Sequence, residues 1–291
     1  MENKRGKRRS LLYVPGSSEK MICKALTLKA DAIIFDLEDA VRLDQKEKAR
    51  TNICKLFKEI CGESRPLHSE IIVRINAFDS AFALEDICQI GRYMPNTILI
   101  PKADKRKIVA ADIILSMLEL QYGFPKQSLK MIILVETAEG VETIYEMIQS
   151  SERITGVQFG AEDFTRDMEI VRTSKGEELI YSRNRLAIAC HACKIDCIDT
   201  PYTDFKDIDG CVRDTQFAKS IGMTGRCVIH PSLIELTNGI FSPSLQEIAD
   251  AERIVSAFDE AAKNGFGAVA LDGKMIDLPV VQRAKKRLEK A

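Results

Sequence analysis

The chain has 291 residues, 45% hydrophobic and 29% charged, with a net charge of −1. That supplies a sizeable core and gives no general attraction to nucleic acid or to a membrane surface. Nine scattered cysteines, an odd number, fit free thiols in a reducing cytoplasm better than a disulfide framework, and no apolar run approaches the length of about 18 residues that a membrane span needs.

The basic start, Lys4-Arg-Gly-Lys-Arg-Arg9, is followed only by Leu11-Leu-Tyr-Val14 before Pro15-Gly16. That apolar run is too short for a signal peptide. The basic arm reads as a solvated terminus or as a contact for phosphate on a carrier group or an acidic carrier protein. Ser10–Val14 reads as a first strand, and Ser17 or Ser18 can cap the helix that follows. Asp31–Phe35 is a second strand, ending in Asp36-Leu-Glu-Asp39, with a helix through Ala49, Ile53, Leu56 and Phe57 behind it. Ile71–Ile75 is a third strand. Leu84, Ile87, Cys88 and Gly91 mark a helix weakly. Thr97–Ile100 is a fourth strand, stopped by Pro101-Lys102, and Ile108–Leu120 is a clear helix.

Met131–Thr137 is an apolar run ending in Glu136, and Ile154–Gly160 is another, followed by Glu162 and Asp163. Between them Val141, Ile144, Tyr145 and Ile148 recur at helical spacing. Strand, helix, strand is a right-handed parallel unit, so Glu136 and Asp163 leave the same edge of a sheet. Glu178–Cys193 reads as a helix, Cys197–Thr200 as a seventh strand, Cys211–Ile221 as a helix ended by Gly222, and Cys227–Ile229 as an eighth strand before His230-Pro231.

Eight short, nearly continuous apolar strands alternating with helices suit an all-parallel sheet buried on both faces. A count of eight and the lack of a Gly-rich dinucleotide fingerprint favour a closed TIM-type (β/α)₈ barrel over an open sheet. The barrel is expected over residues 8–243. Residues 244–291 form a helical extension, led by the stripe Ile248, Ala251, Ile254, Val255, Phe258 and Ala262, which suits a lid over this barrel or a neighbour's.

In such barrels the site lies at the C-terminal strand ends. Those ends hold Asp36, Glu38 and Asp39; Arg74 and Asn76; Lys102; Glu136; Glu162 and Asp163; Asp199; and His230. Glu136 and Asp163 are read as ligands of a hard divalent cation such as Mg²⁺, which takes carboxylates, water and substrate oxygens. Their other reading is as solvated strand-end or capping carboxylates. Arg74 offers a planar fork to a substrate carboxylate, or pairs with Asp36 or Glu38. Lys102 either forms a Schiff base, as in metal-independent aldolases, or pairs with a nearby carboxylate. His230 is read as a structural hydrogen-bonder. Cys190, Cys193 and Cys197 lack a second pair to complete a zinc site.

The motifs Arg9–Gly16, Phe35–Val41, Val73–Asn76, Pro101-Lys102, Val135–Thr137, Phe159–Phe164 and Gly273–Asp277 resemble, in order, those of the citrate lyase beta subunit family. The wider superfamily includes malyl-coenzyme A lyases and malate-synthase-like thioesterases. The resemblance implies a Mg²⁺-dependent lyase that cleaves citryl-acyl carrier protein to acetyl-acyl carrier protein and oxaloacetate. It works with acyl carrier and acyltransferase subunits, as a homo-oligomer. A stand-alone enzyme for citramalyl- or malyl-coenzyme A is the alternative. By resemblance Glu136 and Asp163 hold metal, Glu136 and Arg74 bind substrate, and Asp277 moves the proton, delivered from a neighbouring subunit. The family's Gly-Lys-x-x-Ile-His-Pro motif reads Gly225–Pro231 here, with Arg226 in place of lysine.

Overall fold

The computed structural model describes residues 7–62 and 68–289. Eight strands run in order: β1 (Ser10–Pro15), β2 (Ala32–Asp36), β3 (Glu70–Arg74), β4 (Thr97–Ile100), β5 (Lys130–Val135), β6 (Ile154–Phe159), β7 (Asp196–Asp199) and β8 (Gly225–Val228). All pair parallel with their sequence neighbours, and β8 closes on β1, so the barrel is closed as the strand count predicts. Leu11, Ala32, Ile34, Ile72, Leu99, Ile132, Leu134, Ile198 and Cys227 fill its interior. The alternate residues, such as Ile33, Phe35, Ile71, Val73 and Ile98, are equally buried on the outer face. This double burial is why the strands are apolar at nearly every position.

Helices α1 (Glu19–Ala25), α2 (Lys46–Gly62), α3 (Ala83–Gly91), α4 (Lys105–Tyr122), α5 (Ala138–Glu142), α6 (Ile144–Gln149), α7 (Ala161–Asp167), α8 (Ile180–Cys193), α9 (Ile208–Ser220) and α10 (Ile234–Phe241) return the chain between strands or follow the last. Local chemistry sets their ends. Ser18 caps α1, Asp104 caps α4, and Gly123 ends α4 in the left-handed conformation. The single helix expected after β5 is two, because the backbone breaks at Thr143 (φ −97°, ψ 9°). Val141, Ile144 and Ile148 are buried as their spacing predicts, but Tyr145 is 45% exposed. In α3 the buried face is Ala83, Ile87, Ile90 and Gly91, and Leu84 points to solvent.

The N-terminal end of the barrel is closed by one arginine. Arg8, just ahead of β1, pairs through Nε and Nη2 with Glu70 at 2.6 and 2.7 Å. Its Nη1 reaches Thr155 and Asp196 at 3.1 and 3.2 Å. The first turns of β3, β6 and β7 are thus tied to one buried guanidinium. Arg9 pairs with Asp31. This corrects the reading of the basic arm: Arg8 and Arg9 hold the barrel, and residues 4–6 lie outside the described residues. A Cβ on Gly225 would fall 1.8 Å from the Arg8 carbonyl oxygen, so only glycine lets β8 close there.

Arg153, Arg183 and Arg226 are among the largest fully buried side chains. Arg153 binds Asp112 and Glu119, while Arg183 and Arg226 share Asp199 and Asp214. Each bridge joins the barrel wall to its helices with charge nearly balanced, the condition under which buried ions are tolerated.

The chain forms two compact units that divide after Thr237, inside α10. In the second, α11 (Leu245–Lys263) opens with a capping box from Ser244 and Glu247 and packs on α12 (Leu278–Leu288). Between them β9 (Val269–Leu271) and β10 (Lys274–Ile276) form an antiparallel hairpin. Its turn is Asp272-Gly273, with φ of 51° and 74°, the Asp-Gly pair that a tight hairpin turn favours. Among the described residues no helix is long and apolar enough to cross a membrane.

Replacing Arg8 removes the cation from the partly buried Glu70, which keeps only the Thr97 hydroxyl. Arg8→Ala is expected to cost about 3 kcal/mol of stability in urea unfolding. A variant as stable as the parent would show that the plug contributes nothing.

Candidate active site

At the other end of the barrel, Asp36 and Arg74 are register partners on β2 and β3. The guanidinium binds Asp36 with two bonds, at 2.7 and 2.6 Å, and its Nη1 lies 3.1 Å from Glu38. Its plane lies over the Tyr13 ring, 4.9 Å from the centroid. Asp36 also accepts from the backbone of Glu38 and Ala40. Asp36 is therefore the group that orients Arg74 and shapes the turn after β2.

Glu38 is buried between Arg74 and Lys102, with the Lys102 Nζ at 3.3 Å. Lys46 holds its backbone by donating to the Leu37 and Glu38 carbonyls. Burial pushes the Glu38 carboxyl up to about 7, with Arg74 pulling against it. Lys102 pairs with this carboxylate, the second of its two readings. Burial lowers its pKa, but Glu38 and Asp39 outweigh that and hold it above the usual lysine value. An amine kept charged is a poor Schiff-base nucleophile.

Glu136 follows β5 and is 4% exposed. Lys102, in the left-handed conformation at φ 46°, donates its backbone N–H to Glu136 Oε1 at 2.6 Å. Burial, the charges of Glu38 and Asp163, and a hydrogen-bonding Asp163 carboxyl together push Glu136 up to about 8. A Cβ on Gly160 would sit 2.8 Å from the Glu136 Cβ, so glycine makes room for this carboxyl. Asp163, in the first turn of α7, also pairs with Arg166 at 2.7 Å.

Tyr13, Asp36, Arg74, Glu136, Gln158 and Asp163 line one cavity of about 410 Å³. Two crowded carboxyls with a backbone donor on one oxygen suit a hard divalent cation, whose charge would relieve the repulsion that raises Glu136. Among the described residues no set of three His, Cys, Asp or Glu could hold a metal. Glu136 and Asp163 are the two carboxyls here that could hold such an ion, with water and substrate oxygens supplying the rest of its ligands.

Asp39 and Glu162 also line this cavity, and the remaining strand-end residues point elsewhere. Asp199 lies in the Arg183–Arg226–Asp214 network behind the barrel wall. Arg226 is in that network too, bonded also to Thr215, so this position supports the wall from behind. Asn76 donates to Asp86. Glu162 pairs with Arg172. His230 caps the Pro231–Leu233 turn through its side chain and stacks on Phe205 at 4.7 Å, a structural role as its motif predicts. Cys197 contacts Met223, and Cys190 and Cys197 are buried free thiols. Asp277, in the second unit, caps α12 by accepting from Val280 at 3.2 Å.

Two cavity residues escaped the sequence reading. Tyr13 and Gln158 face inward from β1 and β6, and their side chains bond at 2.7 Å. The available signal was an amide inside an otherwise apolar strand.

The raised Glu136 pKa fixes a sign. In metal-free protein its folded value, about 8, exceeds the ordinary 4.5. The folded state then holds an extra proton between those values, so this stabilisation is complete below the lower and lost as pH rises through the upper. Between about pH 6 and about pH 8, metal-free wild type should lose stability on the order of 2 kcal/mol relative to Glu136→Gln in denaturant melts. Parallel pH profiles would contradict the crowding.

The chain matches the HpcH/HpaI aldolase/citrate lyase family model over residues 9–231. It is 34% identical to citrate lyase subunit beta of Haemophilus influenzae, covering 98% of this chain and 97% of that one. It is 32% identical to mitochondrial citramalyl-CoA lyase of Homo sapiens, over 96% of this chain and 84% of that one. Among solved structures, the CitE protein of Mycobacterium tuberculosis in complex with magnesium, acetoacetate and coenzyme A superposes with a TM-score of 0.78 at 26% identity, covering 98% of each chain. A citrate lyase from Burkholderia xenovorans shares the fold at a TM-score of 0.85, 20% identity, and covers all of this chain and 93% of that one. Matched by that family model over residues 9–231 and by a relative of 34% identity over nearly its whole length, the chain belongs to the HpcH/HpaI aldolase/citrate lyase family.

Proposed function

We propose that this chain is a Mg²⁺-dependent carbon–carbon lyase that cleaves a citryl thioester, on acyl carrier protein or coenzyme A, to an acetyl thioester and oxaloacetate. The observation that carries this reading is the buried Glu136 carboxyl against the half-buried Asp163, beside Arg74 in one cavity at the strand ends. Likeness to citrate lyase beta subunits over nearly the whole chain supports it. A relative's complex with oxaloacetate and magnesium supports the substrate class.

Glu136 and Asp163 would hold the ion, which when bound supplies Lewis-acid polarisation of the substrate's hydroxyl and carboxylate oxygens. Lys102 fixes Glu136 through its backbone N–H. Arg74, oriented by Asp36, presents the rest of its fork to a substrate carboxylate. Cleavage breaks the bond between the carbinol carbon and the acyl α-carbon. The hydroxyl proton leaves, the carbinol becomes a ketone, and the electron pair passes into a thioester enolate. The enolate then takes a proton to become the acetyl thioester. Asp277 is the proton-moving group in this reading. An acyl carrier subunit, an acyltransferase subunit and further copies of this chain are the proposed partners.

The test is turnover of citryl-coenzyme A with Mg²⁺ and then with excess chelator, following oxaloacetate. Chelator-sensitive turnover is expected, with Glu136→Gln and Asp163→Asn losing more than about 100-fold, beyond the loss typical of outer-shell changes. Chelator-insensitive turnover would overturn the metal assignment, and turnover confined to citramalyl-coenzyme A would overturn the acyl group. Asp277→Ala should lower kcat with metal affinity kept. If Asp277 serves a neighbouring chain, mixing inactive Asp277→Ala and Glu136→Ala chains restores partial activity. Normal kcat in Asp277→Ala would remove it from the mechanism.

A further inference from the structure

Gln158 occupies an inward-facing position. In register it lies between Leu134 of β5 and Ile198 of β7, both part of the apolar barrel interior. It is 2% exposed. Its Nε2 donates to the Tyr13 hydroxyl at 2.7 Å, while its Oε1 is buried and has no hydrogen-bond partner among the described residues. A buried amide with one end unpaired costs free energy that a leucine would not. The side chain also lines the cavity that holds Arg74, Glu136 and Asp163. The Tyr13 hydroxyl donates as readily as it accepts, so the carboxamide can present either its oxygen or its N–H₂ to a ligand. Tyr13 in turn carries the Arg74 guanidinium on its ring. Arg74, Tyr13 and Gln158 therefore form one continuous line along the cavity wall.

We propose that Gln158, positioned by Tyr13, determines acyl-group specificity by hydrogen-bonding the distal carboxylate of the substrate, with its N–H₂ turned toward the arm that Arg74 attracts. This rests on the citryl-thioester reading above. The hydroxyl and its geminal carboxylate go to the Glu136–Asp163 side, which leaves the CH₂COO⁻ arm for the Arg74–Gln158 wall. A citramalyl chain carries a methyl group there. That methyl leaves the amide unpaired, and sites built to hydrogen-bond a group discriminate strongly against analogues that lack it.

The test compares binding of oxaloacetate, which keeps this carboxylate, with pyruvate, which lacks it. Calorimetry with Mg²⁺ present uses the full chain as wild type, Gln158→Leu and Tyr13→Phe. Gln158→Leu should weaken oxaloacetate about tenfold while pyruvate changes less than about twofold. Tyr13→Phe should shift the same ratio in the same direction by a smaller factor, and it decides the matter if Gln158→Leu does not fold. The ratio of kcat/KM for citryl- over citramalyl-coenzyme A should fall in parallel. Equal weakening of both keto acids, or an unmoved ratio, overturns the proposal. Wild type that cleaves neither thioester sinks the lyase reading instead, and the binding ratio still decides the role of Gln158.

Discussion

The carboxyl groups of Glu38 and Glu136 are held out of water, with the half-buried Asp163 within electrostatic reach, and the rest of the rim is arranged around that constraint. Arg74 and Lys102 neutralise one side of the cluster through Glu38. The Lys102 backbone N–H pins one Glu136 oxygen. Gly160 withdraws so that the carboxyl fits at all. Glu136 and Asp163 are left sharing a proton, because ionising both would set two charges against each other. In the proposed reading a divalent ion would take the place of that proton and let both carboxylates ionise.

Such crowding needs a stiff frame. The barrel wall is braced from outside by balanced networks around Arg153, Arg183 and Arg226, and from below by Arg8. Breaking one partner of a buried pair strands the other, so each bridge resists local opening strongly. The acidic rim and the basic plug lie at opposite ends of the same strands. Chemistry and stability are thereby separated along the barrel, as in this architecture generally.

The fold was legible because double burial writes itself as apolar runs. The eight strand positions follow from those runs, and closure follows from their number. The Glu136–Asp163 pairing was legible because one strand–helix–strand unit puts both residues on one edge. Asp199 was misplaced because a strand-end carboxylate can turn outward, and Arg183 and Arg226, distant in sequence, draw it there. Arg8 looked like a loose basic tail because its partners Glu70, Thr155 and Asp196 meet only when the barrel closes. Gln158 was hidden by its apolar neighbours, although an amide at an interior position was the clue. The Asp272-Gly273 turn is written in its residue pair, which tight hairpin turns favour.

With its carboxyl pushed up to about 8, metal-free Glu136 holds a proton at neutral pH, which a bound cation would displace. Calorimetric titration of Mg²⁺ at about pH 7 in two buffers of different ionisation enthalpy measures the protons released per ion. With Glu136 pushed up to about 8, release should approach one proton per ion, and both binding and release should be lost in Glu136→Gln. Mg²⁺ binding with no proton release, or undiminished in Glu136→Gln, would show that the ion does not displace a proton from Glu136.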